Sequence, residues 1–400
     1  MSSSIRHVRR LSTTAKSSIS ISRAKSLLQG EHDPDKALKI YSSVSDHYSS
    51  PAVSRYAQEL TVRRLAKSRR FDDIESFIES HKNDPQVKQE PYLSSLILSY
   101  CSAGMFDHAL RTFEQMDQLG TSRSAISLNA LLSGFNKSKL FDKIPQLFDE
   151  IPKKYGLSPD VISYGFLVRA YCEKGETGKA MEILTGMEKN GHEVTAAAFT
   201  MILDALYKKG EAEEAEKLWD RMGKKGCKVV VAAYNVRIRH CQGGKPEKVK
   251  ALIEEMSNAG LKPDTISYNY LMTSYCKSGM MDEAKKVYKE LKKYGCNPNA
   301  VTFRTLVYHL CRTGDFETGY NVFKKSVVKH RIPDFNTTEK LVEGLVVKNK
   351  IEEAKEMLGI IKKKFPANLF NSWKKVEERL GLASAPDVQS AADGDEEASA

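Results

Sequence analysis

No Cys-x-x-Cys pair occurs anywhere in the 400 residues, although seven cysteines are present. Zinc-ribbon and dithiol redox sites need two sulfurs within a turn of chain, so both are excluded. Apolar runs stop far short of 18 residues, with Leu345-Val346-Val347 among the longest, and a membrane-spanning helix is excluded on the same reading. There is no glycine-rich phosphate loop, only Gly243-Gly244 at a turn. The nine histidines are scattered, and none stands in a His-x-Glu with a downstream Cys-x-x-Cys, the signature of a nucleobase deaminase. No catalytic constellation, metal or cofactor is therefore expected, and the short stretch after residue 370 is expected to add no second domain.

Each end of the chain lacks one sign of charge. Residues 1–30 hold Arg6, Arg9, Arg10, Lys16, Arg23 and Lys25 and no acid; residues 381–400 hold Asp387, Asp393, Asp395, Glu396 and Glu397 and no base. The ends nearly cancel, so almost all of the net charge of +11 belongs to the middle, and a polyanion is the natural partner. The Ser- and Arg-rich segment 1–30 reads as an organelle transit peptide, mitochondrial in preference to chloroplast, with Arg9-Arg10-Leu11-Ser12 suggesting cleavage after Leu11. The acidic segment 383–400 cannot bury enough apolar area to offset chain entropy and is expected to be disordered.

A glycine recurs at Gly104, Gly175, Gly210, Gly244, Gly279 and Gly314, with gaps of 71, 35, 34, 35 and 35. Five residues on stand Ala109, Ala180, Ala215, Val249, Ala284 and Gly319; four further come Phe113, Leu184, Trp219, Ile253, Tyr288 and Phe323; three further come Met116, Met187, Met222, Met256 and Leu291. Offsets of four and three place these on one helical face. The segment should end at Gly120, Gly191, Gly226, Gly260 and Gly295, where a left-handed residue closes a helix. Upstream of each mid-repeat glycine lies another amphipathic segment, most clearly Tyr268 to Cys276. Helix, turn, helix and a Pro-containing link make one unit. Nine registers fit, 55–89, 90–124, 125–160, 161–195, 196–230, 231–264, 265–299, 300–334 and 335–369, after a degenerate first repeat over 31–54 and before a capping helix over 370–382. Neither helix of a unit covers its own apolar face, so units must stack. The fold class expected is all-α, an α-solenoid.

Gly260-Leu261-Lys262-Pro263-Asp264 followed by Thr265-Ile266-Ser267-Tyr268-Asn269, and the parallel runs Gly156 to Tyr164 and Gly295 to Phe303, resemble the pentatricopeptide repeat (PPR) family, of the plain class found in plant mitochondria. The resemblance implies a right-handed superhelix of about nine to ten repeats that binds single-stranded RNA, its first helices lining the concave groove and each repeat addressing one base. It implies that the fifth and last residues of a repeat read the base. These pairs are Ser94/Ser124, Asn129/Asp160, Gly165/Thr195, Thr200/Val230, Asn235/Asp264, Asn269/Asn299 and Arg304/Asp334. Second-position residues Ile126, Ile162, Ala197, Ala232, Ile266 and Val301 would sandwich bases. Asn129/Asp160 and Asn235/Asp264 match the family's uracil combination and Asn269/Asn299 its pyrimidine combination; the other four match no strong rule. The short first helix of repeat 231–264 is expected to shift Asn235.

Lys67, Lys137, Lys208, Lys277 and Arg312 fall at one place near the end of first helices, suited both to phosphate and to the helix macrodipole. Cys101, Cys172, Cys241, Cys276 and Cys311 share another first-helix position, and Cys227 and Cys296 a link position, as small buried residues would. The function expected is RNA binding in organellar RNA metabolism or translation, without DNA or membrane. The alternative is a structural subunit of the mitochondrial ribosome that contacts ribosomal RNA and ribosomal proteins.

Overall fold

Where the period places the end of one repeat, the backbone runs extended for a residue and then turns helical. At Ser124, Asp160, Thr195, Asp264, Asn299 and Asp334 the side chain folds back to accept a hydrogen bond from an amide of the turn that follows. Such an N-cap contributes about 1 kcal/mol. Val230 occupies the same place and has no oxygen to offer.

The computed structural model describes residues 18–45, 51–224, 227–364 and 370–382. Helices α1 (Ile21–Gly30) and α2 (Pro34–Ser42) open the chain, tied by an isolated bridge between Ile19 and Val44. The repeats follow as pairs: α3 (Pro51–Lys67) with α4 (Phe71–His81), α5 (Glu90–Ser102) with α6 (Phe106–Glu114), α7 (Ala125–Lys137) with α8 (Lys143–Tyr155), α9 (Val161–Glu173) with α10 (Thr177–Lys189), and α11 (Ala196–Lys209) with α12 (Ala212–Lys224). Then come α13 (Val231–Cys241) with α14 (Pro246–Asn258), α15 (Thr265–Lys277) with α16 (Met281–Glu290), α17 (Ala300–Arg312) with α18 (Phe316–Val328), and α19 (Phe335–Val347) with α20 (Ile351–Lys364), before the single α21 (Phe370–Arg379). The chain is an all-α solenoid of helix-turn-helix repeats, divided into two compact bodies, residues 1–228 and 229–400.

Gly104, Gly175, Gly210, Gly279 and Gly314 are left-handed, with φ from 74° to 85°. In repeats that lack the glycine, Arg69, Lys139 and Asn349 adopt the same conformation with φ of 57°, 60° and 58°. Lys139 thus fills the missing beat in the 71-residue gap. Gly191, Gly260 and, one repeat beyond Gly295, His330 follow the ends of second helices in the same conformation, and Gly120 and Gly295 end the turns that follow α6 and α16; Gly226 lies outside the described residues. Gly244 departs from the pattern because its φ is not positive. Its repeat has an 11-residue first helix and restarts through Pro246 in the first turn of α14.

In the N-terminal body, Ile21, Ala24 and Leu28 of α1 pack with Ala37 and Tyr41 of α2 and Ala57 and Leu60 of α3. The leader expected over residues 1–30 overlaps α1, which carries three apolar residues at helical spacing and a Ser20 N-cap. The proposed cleavage after Leu11 and the acidic segment 383–400 lie outside the described residues. A larger core runs from Val62 on α3 to Ala170 on α9. Gly134 permits the approach of α7 to α5, since a Cβ there would sit 2.5 Å from the Cys101 Sγ. On second helices, Ala109, Phe113, Ala180, Leu184, Met187, Ala215 and Met222 are buried, as is Met116 in the turn after α6; Leu218 takes the core place and leaves Trp219 half-buried.

In the C-terminal body the same face buries Val249, Met256, Ala284, Leu291 and Phe323. Its end is covered by α21, whose Trp373 is buried with its ring 4.5 Å from that of Phe335. All seven cysteines are free thiols, but only Cys101, Cys276 and Cys296 are buried; Cys172, Cys227, Cys241 and Cys311 are half-buried, which corrects the expectation of uniform burial. Burial pushes Cys101, Cys172, Cys276 and Cys311 up to about 12, so these thiols stay protonated.

Candidate nucleic-acid interface

Three junctions between consecutive first helices share one hydrogen-bonded triad. Asn129 Nδ2 donates to Asp160 Oδ1 and Oδ2 at 3.0 and 3.2 Å, while the Ser163 hydroxyl donates to Asn129 Oδ1 at 2.7 Å. Asn235 Nδ2 donates to Asp264 Oδ1 at 3.1 Å and its Oδ1 accepts from the Ser267 hydroxyl at 2.6 Å. Asn269 Nδ2 donates to Asn299 Oδ1 at 3.1 Å and its Oδ1 accepts from the Thr302 hydroxyl at 2.7 Å. The fifth and last residues are brought together in all three. The shortened repeat leaves Asn235 in register, contrary to expectation, because α13 is trimmed at its end and not at its start.

Ser163, Ser267 and Thr302 were not legible as site residues from the repeat pattern. Each is the third residue of its helix and closes a capping box with Asp160, Asp264 or Asn299, so the spacing Asp/Asn-x-x-Ser/Thr was the available signal. Each fixes which way the fifth-position amide faces. Burial works to raise the Asp160 carboxyl, but bonds from Asn129 and from the amide and hydroxyl of Ser163 outweigh it and hold the group below its ordinary value. Asp160 is therefore anionic at neutral pH.

The triads differ in what they leave available. Asp160 and Asp264 present carboxylate lone pairs beside an amide N–H, complementary to an N–H flanked by carbonyls, as on the uracil edge. Asn299 has its Oδ1 engaged by Asn269 and by the Thr302 amide, which leaves its NH₂ as the outward group. A donor at that point suits the ring-nitrogen acceptor of cytosine.

The remaining junctions are built otherwise. Ser94 is buried with a hydroxyl that lacks a partner, and Ser124 does not meet it. Glu90 instead reaches Ser124, accepting from its amide and hydroxyl at 2.7 and 2.8 Å and from the Ser127 amide at 3.0 Å. An acid from the preceding helix closes this junction, and nothing in the repeat spacing marked Glu90. Gly165 offers no side chain, and Thr195 serves as the α11 cap. The Thr200 hydroxyl is given to Ala196 of its own helix at 2.6 Å. Arg304 and Asp334 face each other with Nε and Oδ2 4.0 Å apart.

Beside these junctions the second-position residues stand in solvent. Ile126, Ile162, Ile266 and Val301 are between 43 and 60% exposed, and Ala197 and Ala232 are exposed too. Large aliphatic groups held out at one register, next to fixed polar pairs, are suited to the faces of flat rings. Lys67, Lys137, Lys277 and Arg312 are exposed at the ends of their helices; Lys208 is instead paired with Asp204 at 2.9 Å. A cleft of about 260 Å³ between α3, α5 and α7 is lined by Arg55, Arg63 and Lys137 and by Glu59, which pairs with Arg63 at 2.6 Å. Among the described residues, no cluster of His, Cys, Asp and Glu could hold a metal ion, and no helix is long and apolar enough to cross a membrane.

Models of the PPR repeat match residues 93–121, 126–155, 197–227 and 233–261, and a model of the PPR repeat family matches 159–208 and 263–312. Among curated proteins, the chain is similar to the Arabidopsis thaliana small ribosomal subunit protein mL103 (rPPR7), with 61% identity over 94% of this chain and 92% of that one. An Arabidopsis thaliana pentatricopeptide repeat-containing protein named as mitochondrial is 53% identical over 92% of this chain and 87% of its own. The Arabidopsis thaliana small ribosomal subunit protein mS78 (rPPR3a) is 33% identical over 42% of each chain. With its 35-residue helix pairs, its capped junctions and relatives matching nearly end to end, the chain belongs to the pentatricopeptide repeat family.

Proposed function

We propose that this is a mitochondrial, non-catalytic RNA-binding protein that holds a single-stranded segment along its first helices. One observation carries the reading: Asn129–Asp160, Asn235–Asp264 and Asn269–Asn299 are oriented in the same way, each with an exposed aliphatic residue beside it. Phosphates would meet Lys67, Lys137, Lys277 and Arg312, with Lys208 recruited at the cost of its Asp204 pair. Three readable junctions, at roughly 1–3 kcal/mol each, discriminate far less than a long site would. Such a protein recognises RNA in a context that something else supplies. The mitochondrial name of one relative and the transit-peptide composition of the N-terminal segment favour the organelle.

A second reading is favoured by a specific finding, the 61% identity over 94% of the chain with a small ribosomal subunit protein. On that reading the RNA is ribosomal, the partners include mitochondrial ribosomal proteins, and the weak code is sufficient because assembly fixes the address. Two experiments test these readings. Replacing Asn129 and Asn235 together by Ala should weaken binding to a uridine-containing strand more than to poly-A, and equal losses would show that these amides do not read bases. Sedimentation of mitochondrial extract at moderate salt should place the protein with a ribosomal subunit after messenger RNA is trimmed; migration as a small free particle would refute the ribosomal reading.

A further inference from the structure

The junction between α17 and α19 opens a cavity of about 380 Å³, lined among others by Arg304, Tyr308, His309, Asp334, Thr337 and Lys340. Resting on the reading that this face binds RNA, we propose that the cavity is a guanine site, so that three consecutive junctions of the C-terminal body address uracil, cytosine and guanine. Arg304 stands where Asn235 and Asn269 stand in the preceding repeats. Its Nε is 4.0 Å from Asp334 Oδ2, beyond hydrogen-bond reach, and both side chains are about half exposed. Each thus keeps bonding capacity that the Asn–Asp pairs spend on one another. Thr337 takes the place of Ser267 and Thr302. With no Asn oxygen to serve, its amide and hydroxyl bond Asp334 at 3.1 and 3.2 Å and hold that carboxylate in place.

A fixed carboxylate next to a half-free guanidinium selects among the bases. Guanine carries paired acceptors, N7 and O6, and paired donors, N1–H and the exocyclic amine. Arginine bonding O6 and N7 through two N–H groups is the commonest specific protein contact with this base. Asp334 can accept from N1–H and the amine. Adenine would turn an amino group toward the guanidinium and a bare ring nitrogen toward the carboxylate, leaving like groups opposed on both sides. Uracil has no two adjacent acceptors for the fork of Arg304, and cytosine, whose N3 and O2 could take it, leaves Asp334 a single donor, its exocyclic amine, where guanine gives two. The cavity is of the size that admits a flat heterocycle, and the exposed Val301 and Asn336 flank it as the second-position residues of successive repeats. Lys340 also lines the cavity, and burial, then Arg312 and Lys277, lower the His309 imidazole, whose ring meets Tyr308 edge-on at 5.1 Å.

The test uses the full chain and short adenosine-rich strands that carry a U-C step followed, or in the reverse order preceded, by each of the four nucleotides. Affinity should favour guanosine at the varied position by about tenfold or more over the others. Arg304→Asn recreates the Asn–Asp pair of the earlier junctions and should move the preference from guanosine to uridine. Arg304→Lys keeps the charge without the fork, and should remove the preference with little loss of overall affinity. The guanine site is overturned if all four nucleotides bind alike while Asn235→Ala still weakens binding at the uridine, or if Arg304→Asn leaves a guanosine preference in place. If no position discriminates and Asn235→Ala changes nothing, the base-reading role of the whole face falls, and the guanine site with it.

Discussion

In the N-terminal body the Asn129–Asp160 triad stands between two junctions that cannot read: one closed by Glu90, the other emptied by Gly165. Its helix-end cations come only at alternate repeats, Lys67, Lys137 and Lys208, with Ser102 and Glu173 between them. In the C-terminal body Asn235, Asn269 and Arg304 follow one another, and Lys277 and Arg312 are successive. Yet the N-caps recur in both bodies. Folding favours a last-position cap, because each first helix needs its leading amides satisfied, although α13 forms behind Val230 without one. The fifth position carries no such duty and is free to be Asn, Arg, Thr, Ser or Gly. On the proposed reading, recognition would vary at a position the fold does not hold.

The contrast can be broken or sharpened by substitution. The largest effect is expected at the C-terminal cover: Trp373→Ala should cost about 3–5 kcal/mol, read as faster amide exchange in α19 and α20 and a lower unfolding midpoint in urea. An unchanged midpoint would show that α21 is not part of the core. The N-terminal counterpart is Gly134→Ala, whose new Cβ meets buried Cys101; a loss of about 1–3 kcal/mol is expected, with accelerated exchange in α5 and α7. In binding, Asn235→Ala and Asn129→Ala should each cost roughly 1–2 kcal/mol at a uridine in filter or anisotropy assays. The larger loss should fall on Asn235, whose neighbour Asn269 shares the strand. Lys139→Gly removes a left-handed non-glycine residue and should stabilise the chain by at most about 1 kcal/mol, whereas Gly104→Lys should do the reverse.

The smallest effect is one of pH. Asp160 has a folded value below its unfolded 3.8, so its contribution is complete above 3.8 and drains away as acid carries the pH down through the folded value. The midpoint of Asp160→Asn should therefore fall less steeply with acid than that of the natural chain. Parallel curves would mean the carboxylate does not support α9.

The repeat architecture was legible because stacking demands small and large residues at fixed offsets, and Ala109, Ala180, Ala215 and Ala284 with their following bulky residues keep that rhythm through both bodies. The turns without glycine were not, since Arg69, Lys139 and Asn349 adopt φ > 0 under the pull of flanking helices and carry no local mark. At the N-terminus composition and periodicity give different signals. Residues 21–30 share the Ser and Arg content of the leader, but Ile21, Ala24 and Leu28 lie on one helical face. At the interface the fifth and last positions were readable by register. The clamps from Ser163, Ser267 and Thr302 follow from capping rules applied one repeat ahead. Glu90 escaped because a long side chain crosses between repeats, where no spacing rule reaches.

RNA is proposed to lie on the first helices, and photocrosslinking tests that placement most directly. A strand with 4-thiouridine at successive positions, bound to the full chain and irradiated, should label peptides from the leading turns of α7, α13 and α15, around Ile126, Ala232 and Ile266. Labelling confined to second helices such as α14, α16 and α18, with the first helices untouched, would contradict it.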